Sequence, residues 1–176
     1  MRTEEMPAMF SQIMCDALND QINMELRSAY AYLAMSAYCE RMHFRGCAKW
    51  LRLQSGEELG HAMKLFDFLR DRDGKIVLKA LPDMPVDFPS IPDVFQQALE
   101  HEIAVSEKIN YIYELAFKEK AYAAGPQLEW FLTEQIEEEK TARDIVSKFN
   151  LVRNDPAALL DMDRELAART PGAESE

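Results

Sequence analysis

Four carboxylates and one histidine occupy positions where the helical pattern of the sequence calls for apolar core residues. They are Glu25, Glu58, His61, Glu102 and Glu138. Apolar residues continue the same three- and four-residue steps on both sides of each acidic position. An unpaired buried carboxylate is very costly, so it is normally paired or bound to a metal. The sequence therefore predicts that these side chains converge on a shared set of cations.

The donor atoms of this set favour iron or manganese. Carboxylate oxygen and imidazole nitrogen suit these ions, and the set contains no thiolate. Glu58 and His61 are three residues apart, which places both on one helix face. Bridging carboxylates allow two cations to lie a few ångströms apart, and two Fe(II) ions with open positions can bind and reduce dioxygen. Tyr32 follows Glu25 by about two helical turns, so its phenol is expected close to the pair.

An all-α chain of four long helices and one short helix must position these residues. Periodicity and break residues predict helices over about 7–41, 47–72, 91–122, 126–149 and 156–168. We expect a single domain over 1–176, in which the four-helix bundle spans about 7–149. The polar tail at about 170–176 is predicted to be disordered.

The connection at 75–89 determines the topology of the predicted bundle. Hairpins between bundle helices usually need about 2–8 residues, whereas this connection has 15. At about 3.3 Å per residue it reaches roughly 50 Å, more than the roughly 40 Å of the second helix. The sequence thus predicts two antiparallel hairpins joined by a long crossover between helices two and three. The apolar crossover residues expected to lie against the helices are Ile76, Val77, Leu78, Leu81 and Val86.

Composition and charge argue against several classes of protein. The net charge of −11 does not suit a nucleic-acid surface, which needs clustered Lys and Arg. The sequence has no run of roughly 18 apolar residues, so no membrane span is expected. No signal peptide is visible at the start of the sequence. Cys15, Cys39 and Cys47 form no C-x-x-C pair. Free thiols and a cytoplasmic location are therefore expected.

Several local strings resemble the ferritin family, most closely the bacterial non-haem ferritins. The strings are NMEL at 23–26, EELGH at 57–61, HE at 101–102 and EQIEEEK at 134–140. The resemblance covers nearly the whole chain. It implies a ferritin-like four-helix bundle with a long crossover and a short fifth C-terminal helix.

By this resemblance, two irons are bridged by one carboxylate, Glu58. The first iron is held by Glu58 together with Glu25 and His61. The second iron is held by Glu58 together with Glu102, Glu138 and the nearby Gln135. These assignments are what the family resemblance implies for the matching positions of this chain.

The resemblance also implies a site tyrosine and a third iron. Tyr32 is similar to the tyrosine that assists the oxygen chemistry in this family. The third iron site of bacterial relatives maps onto Glu57, Glu134, Glu137 and Glu138. Helical spacing puts the last three carboxylates on one side of a helix, just outside the pair.

Two departures from the patterns of related families argue against other interpretations. Thr141 stands where a second Glu-x-x-His motif would need histidine, which argues against bacterioferritin and rubrerythrin. Leu59 stands where bacterioferritin has its haem-ligating Met, so haem is not expected.

The function that the resemblance implies is iron storage with ferroxidase activity. Fe(II) would be oxidised by dioxygen or hydrogen peroxide, and Fe(III) mineral would collect inside a homo-oligomeric cage of twenty-four subunits. Apolar residues expected at subunit contacts include Leu26, Tyr30 and Leu33. A stand-alone di-iron oxidase or peroxidase without storage is the alternative. A metal-free bundle would need Lys or Arg on the same seams as partners for the acids, and the central turns of these seams offer none.

Overall fold

The computed structural model describes residues 10–152 and 155–170 of the chain. These residues contain five α-helices and one 3₁₀ turn. They are α1 (Gln12–Arg41), α2 (Arg45–Arg70), α3 (Ile91–Lys118), α4 (Gly125–Val152) and α5 (Pro156–Ala167). These described residues contain no β-strand, and none of their helices is long and apolar enough to cross a membrane. α1 packs along α2, and α3 packs along α4. The predicted all-α bundle with a crossover and a short fifth helix is confirmed.

A serine cap determines where α1 begins. The Ser11 hydroxyl accepts a hydrogen bond from the amide of Met14 at 3.1 Å, as an N-cap side chain does. α1 therefore starts at Gln12, and residues 10 and 11 of the predicted helix precede it. Residues 7–9 of the predicted helix and 171–176 of the predicted disordered tail lie outside the described residues.

Residues with left-handed backbone follow three of the helices. They are His43, Asp73 and Lys120, with φ of 65°, 54° and 56°. After α3, the amide of Ala121 donates to the carbonyl of Ala116 at 2.8 Å across Lys120, which is the Schellman arrangement. The helix therefore ends at Lys118, four residues before the predicted end.

Two asparagines of α1 hold the crossover between α2 and α3. The Asn19 amide donates to the carbonyl of Lys75 at 2.9 Å and accepts from the amide of Val77 at 2.7 Å. One turn later, Asn23 donates to the carbonyl of Val77 and accepts from the amide of Lys79, both at 2.7 Å. These side chains satisfy backbone groups of the loop much as a neighbouring strand would.

The apolar residues of the crossover contribute less to packing than predicted. Of the five, Ile76 packs against the core. The other four are exposed: Val77, Leu78, Leu81 and Val86. The expectation that all five lie against the helices is wrong for these four, because the crossover is held by hydrogen bonds from α1 and by the apolar contacts of Ile76 and Phe88.

Two apolar clusters with a polar layer between them form the core, and each cluster takes residues from all four long helices. One cluster includes Leu18, Ile22, Leu65, Ile109 and Phe131. The other includes Trp50, Leu51, Phe95, Ile145 and Phe149. The polar layer consists of the buried Glu25, Gln54, Glu58, His61, Glu102, Gln135 and Glu138. The helix stripes are therefore apolar at both ends and polar in the middle, as predicted.

The short helix α5 packs against the start of α2. The Asp163 carboxylate accepts from the amide of Cys47 at 2.8 Å, which satisfies one of the amides that have no partner within α2. Gly46 allows this close approach, since a Cβ there would lie 1.7 Å from the carbonyl oxygen of Asp163. The absence of a side chain at residue 46 is therefore a packing requirement.

We predict that Gly46→Ala destabilises the protein by about 1–3 kcal/mol, because the added methyl group must push α5 away from α2. Thermal unfolding measures the effect. Gly56→Ala is the matched control on the same helix, since no heavy atom lies within 4 Å of its added Cβ. That control should be neutral or stabilising by about 0.5–1 kcal/mol. Equal melting temperatures for the two variants would contradict the packing argument.

Candidate metal centre

Three buried side chains from α1 and α2 meet at the centre of the bundle. Glu25, Glu58 and His61 each place one ligand atom within 4.8 Å of the other two. The helical steps that bury Ile22 and Leu65 in the core also bury these three side chains. Two carboxylates and one imidazole at this spacing can hold a cation such as iron.

Hydrogen bonding leaves some of these ligand atoms unsatisfied. The Gln21 amide donates to Oε1 of Glu25 at 2.7 Å. Oε2 of Glu25 and Nδ1 of His61 have no hydrogen-bond partner among the described residues. His61 Nδ1 lies 3.8 Å from Oε2 of Glu58, which is too far for a hydrogen bond. Buried polar atoms without partners are rare, and an ion between them is one physical explanation.

Glu102 on α3 and Glu138 on α4 belong to the second hairpin, and hydrogen bonds hold both. The Tyr32 hydroxyl donates to Glu102, and Nε2 of Gln135 donates to the same carboxylate at 3.3 Å. Nε2 of Gln54 donates to Oε2 of Glu138 at 2.7 Å. The predicted tyrosine and glutamine therefore lie in direct contact with a predicted ligand.

The predicted second set of ligands is less tightly gathered than the first. Within the described part of the chain, the other group with ligand atoms within 4.8 Å of one another is His61, Glu134 and Glu138. Glu102 lies outside both groups, since its carboxylate is turned toward Tyr32. The structure thus brings His61 between the first predicted site and the α4 carboxylates.

The remaining residues predicted for a third site have different surroundings. Glu134 is half-buried and joins the second group. Glu137 is exposed and belongs to neither group. The Glu57 carboxylate forms an ion pair with Arg169, with Nη2 and Oε2 2.5 Å apart. These three carboxylates therefore do not form a group with ligand atoms within 4.8 Å of one another.

Three polar residues beside the site were not predicted to act there: Gln21, Gln54 and Arg169. The helical pattern does place Gln54 in the core, and that position was the available signal. Nothing near Arg169 in the sequence indicates its contact, because it follows α5 and pairs with a residue 112 positions earlier. A basic side chain that follows α5 thus reaches Glu57 at the edge of the site.

Aromatic rings enclose the histidine. The centroid of the His61 ring lies 5.5 Å from that of Trp130 and 5.8 Å from that of Phe131, and both contacts are edge-on. The Lys64 ammonium lies 3.5 Å from the Trp130 centroid on the outer side. Packing of this kind fixes the imidazole plane and holds the lysine on the indole ring.

Burial and crowding raise the pKa values of the acidic groups. Loss of hydration raises the pKa of Glu25 well above its usual value of 4.5, and the nearby Glu58 charge raises it further. Loss of hydration also raises the pKa of Glu58, followed by the charge of Glu102. The Tyr32 pKa rises for the same two reasons, so its hydroxyl stays a neutral donor. A bound cation would favour the ionised carboxylates and reverse these shifts.

His101 is next to Glu102 in the sequence but has a structural role. Burial lowers its pKa to about 4, and the charge of Arg27 contributes. Its Nε2 pairs with the Ser28 hydroxyl at 2.5 Å, and its ring meets the edge of Tyr32 at 5.9 Å between centroids. A neutral His101 therefore packs behind the tyrosine.

We predict that metal-free protein loses stability as pH rises above about 4.5, the usual value for Glu25. The raised folded-state pKa means that the native state binds more protons than the unfolded state, so the free energy of unfolding falls with increasing pH. Glu25→Gln stays neutral and should be more stable than wild type at pH 7 by about 1–3 kcal/mol. Denaturant unfolding at pH 5 and pH 7 measures the difference.

The matched control for this prediction is Glu107→Gln, which changes an exposed carboxylate of α3. It should unfold like wild type at both values of pH. A Glu25→Gln variant that is less stable than wild type at pH 7 without metal would show that the carboxylate is well satisfied in the empty bundle.

The family model and the most similar proteins point to the same family. The model of the ferritin-like domain matches residues 15–152. A bacterial non-heme ferritin of Staphylococcus haemolyticus is 37% identical over 92% of this chain and 98% of its own length. A probable bacterial non-heme ferritin-like protein of Haemophilus influenzae is 36% identical over 90% of this chain and 96% of its own.

Solved structures agree with the sequence comparison. The crystal structure of an open pore ferritin from the archaeon Archaeoglobus fulgidus is 42% identical and superimposes with a TM-score of 0.90. The alignment covers 93% of this chain and 99% of that one. Fold, buried carboxylates and sequence similarity together show that this chain belongs to the ferritin family and is similar to bacterial non-haem ferritins.

Proposed function

We propose that this protein is a ferroxidase that oxidises Fe(II) and stores the resulting Fe(III) as a mineral. The observation that carries the proposal is the group Glu25, Glu58 and His61, in which buried ligand atoms lie within 4.8 Å of one another and two of them have no hydrogen-bond partner among the described residues. Membership of the ferritin family supports iron as the metal. In this proposal iron is the substrate and cargo of the protein.

The residues of the chain would bind and orient two Fe(II) ions. Glu25, Glu58 and His61 would hold the first ion. The second ion would be held by Glu58, Glu102 and Glu138, with Gln135 nearby. Glu102 lies outside the tight groups of ligand atoms in the metal-free arrangement. Its carboxylate would therefore turn from Tyr32 toward the metal when the second ion binds.

The electrons for the reaction come from the two irons. Two Fe(II) ions lose one electron each, and one dioxygen that takes up these electrons and two protons becomes hydrogen peroxide. Hydrogen peroxide can accept two electrons and two protons in the same way and become two waters. Tyr32 is a neutral hydroxyl donor beside Glu102, so we assign it to assist the oxygen chemistry.

Storage requires a closed shell, because one bundle of this size cannot enclose a mineral. We propose the homo-oligomeric cage of twenty-four subunits that the family resemblance implies, since closed symmetric assemblies are the usual form of soluble oligomers. Tyr30 and Leu33 on the outer face of α1 are 44% and 45% exposed, and Leu26 is half-buried beside them. These apolar side chains are available for a neighbouring subunit.

The cytoplasm is the compartment that we propose for the protein. Cys15, Cys39 and Cys47 are all free and buried in the bundle. Burial raises the pKa of Cys39 to about 12 and also raises that of Cys47, so both stay protonated thiols. Unpaired structural cysteines suit a reducing environment.

The experiment that tests the proposed function adds Fe(II) in air to the metal-free protein and follows ferric absorbance. Catalysed oxidation well above the rate in buffer supports a ferroxidase, and an unchanged rate would exclude one. Size-exclusion chromatography tests the second candidate, a stand-alone di-iron oxidase or peroxidase. A small dimer that oxidises iron would support that candidate and exclude storage.

His61→Ala should slow the fast oxidation phase by about 10–100-fold, because it removes a metal ligand. Stopped-flow absorbance measures the phase, and circular dichroism checks that the bundle remains folded. The control is His43→Asn, since His43 is an exposed residue with φ of 65°, a conformation that asparagine tolerates. A fast phase of wild-type rate in His61→Ala would show that His61 is not a ligand.

Glu137→Gln should change the slower, later phase of oxidation more than the fast one, because Glu137 belongs to the proposed third site outside the pair. The number of Fe(II) ions bound per subunit should also fall. Glu107→Gln again serves as the exposed carboxylate control. Wild-type stoichiometry in Glu137→Gln would remove that residue from the site.

A further inference from the structure

A positive charge from the end of the chain reaches the edge of the candidate metal centre. Arg169 follows α5, yet its side chain is only 7% exposed. Its guanidinium donates to Oε2 of Glu57 at 2.5 Å and to Oε1 of Gln54 at 2.8 Å. It also lies over the ring of Trp50, 4.4 Å from the centroid. Packing, hydrogen bonds and charge thus hold this arginine at one place on α2.

The contact with Gln54 connects the arginine to the central carboxylates. Arg169 can only donate hydrogen bonds, so Gln54 must present its oxygen to the guanidinium. The Gln54 amide group then faces inward, where it donates to Glu138 at 2.7 Å and to Glu58 at 3.3 Å. One glutamine therefore separates Arg169 from two of the carboxylates assigned to iron.

The contact with Glu57 occupies a carboxylate that the third iron site would need. Glu134 lies in the same neighbourhood, since its pKa is raised first by burial and then by the charges of Glu137 and Glu57, whereas His61 and Lys64 lower it. The guanidinium takes Oε2 of Glu57, which leaves Oε1 for a cation. A divalent cation bound there would meet the guanidinium charge at short range, so cation and arginine compete for this carboxylate.

We propose that Arg169 is a tethered competitor for the cation at Glu57: it fills the outer site in the metal-free protein and must leave when a cation binds there. This inference rests on the proposed function, because it assumes metal ions at the centre. The inference also gives the order in which the metal positions bind cations. The two inner positions take cations first, and the outer position takes one only after the segment behind α5 releases its arginine.

The first test counts cations by calorimetric titration of Zn(II), which cannot be oxidised, into the assembled metal-free protein. Wild type should bind two cations tightly and an outer one weakly. Arg169→Gln should bind the outer cation about tenfold more tightly, since it removes the competing charge. Arg169→Lys keeps the charge and should stay closer to wild type than to Arg169→Gln. The double variant Arg169→Gln with Glu57→Gln should lose the gain.

The outcomes of this titration separate the two proposals. If no variant binds inner cations, the proposed function fails. If the inner cations bind but the outer affinity is the same in wild type and Arg169→Gln, the competition is refuted and the metal centre stands. Circular dichroism and size-exclusion chromatography establish that each variant is folded and assembled.

A second test keeps Arg169 in place and follows its departure. Trp50 lies under the guanidinium, so its fluorescence should change when the arginine leaves. Trp130→Phe removes the other tryptophan, which contacts His61 and would report the inner site instead. During Zn(II) titration of this variant, the emission should change only after two equivalents have bound. Emission that stays constant while a third cation binds would overturn the proposal.

Discussion

Repulsion between acidic side chains in a dry interior is the constraint on which the rest of this structure depends. Two unit charges about 4 Å apart repel by about 4 kcal/mol at an effective dielectric constant of 20. Burial of one leucine supplies only about 1.5–3 kcal/mol, so one apolar neighbour cannot offset one such contact. An apolar cluster on each side of the acidic layer supplies the burial that offsets this repulsion. Loss of hydration, and after it the charges of neighbouring carboxylates, raise the pKa values of Glu25 and Glu58 when no cation is present.

Contacts in the connections of the bundle hold the helices that carry these acidic groups. Asn19 and Asn23 fix the crossover to α1 through its backbone. The close contact of Gly46 with Asp163 places α5 on the start of α2. That placement in turn brings Arg169 to Glu57, so a packing contact at one end delivers a charge to the edge of the acidic layer. The crossover and the C-terminal helix thus both contribute to holding α1 and α2 around the acidic layer.

Residues with a strong periodic signal could be predicted from the sequence. Glu25 and Glu138 fall on apolar stripes, and a stripe determines which side chains face the interior whatever their chemistry. Helix ends were predicted less well, because Lys120 ends α3 in a left-handed conformation that glycine usually adopts. The position of Arg169 could not be predicted, because it depends on how α5 packs and on a contact between residues far apart in the chain.

Anomalous scattering from a crystal soaked in Fe(II) without oxygen would locate the bound iron. We expect two strong iron peaks in the acidic layer, one within bonding distance of Glu25 and His61, the other of Glu102 and Glu138, with Glu58 between them. Iron found only at surface carboxylates would contradict a metal centre built from the buried acids.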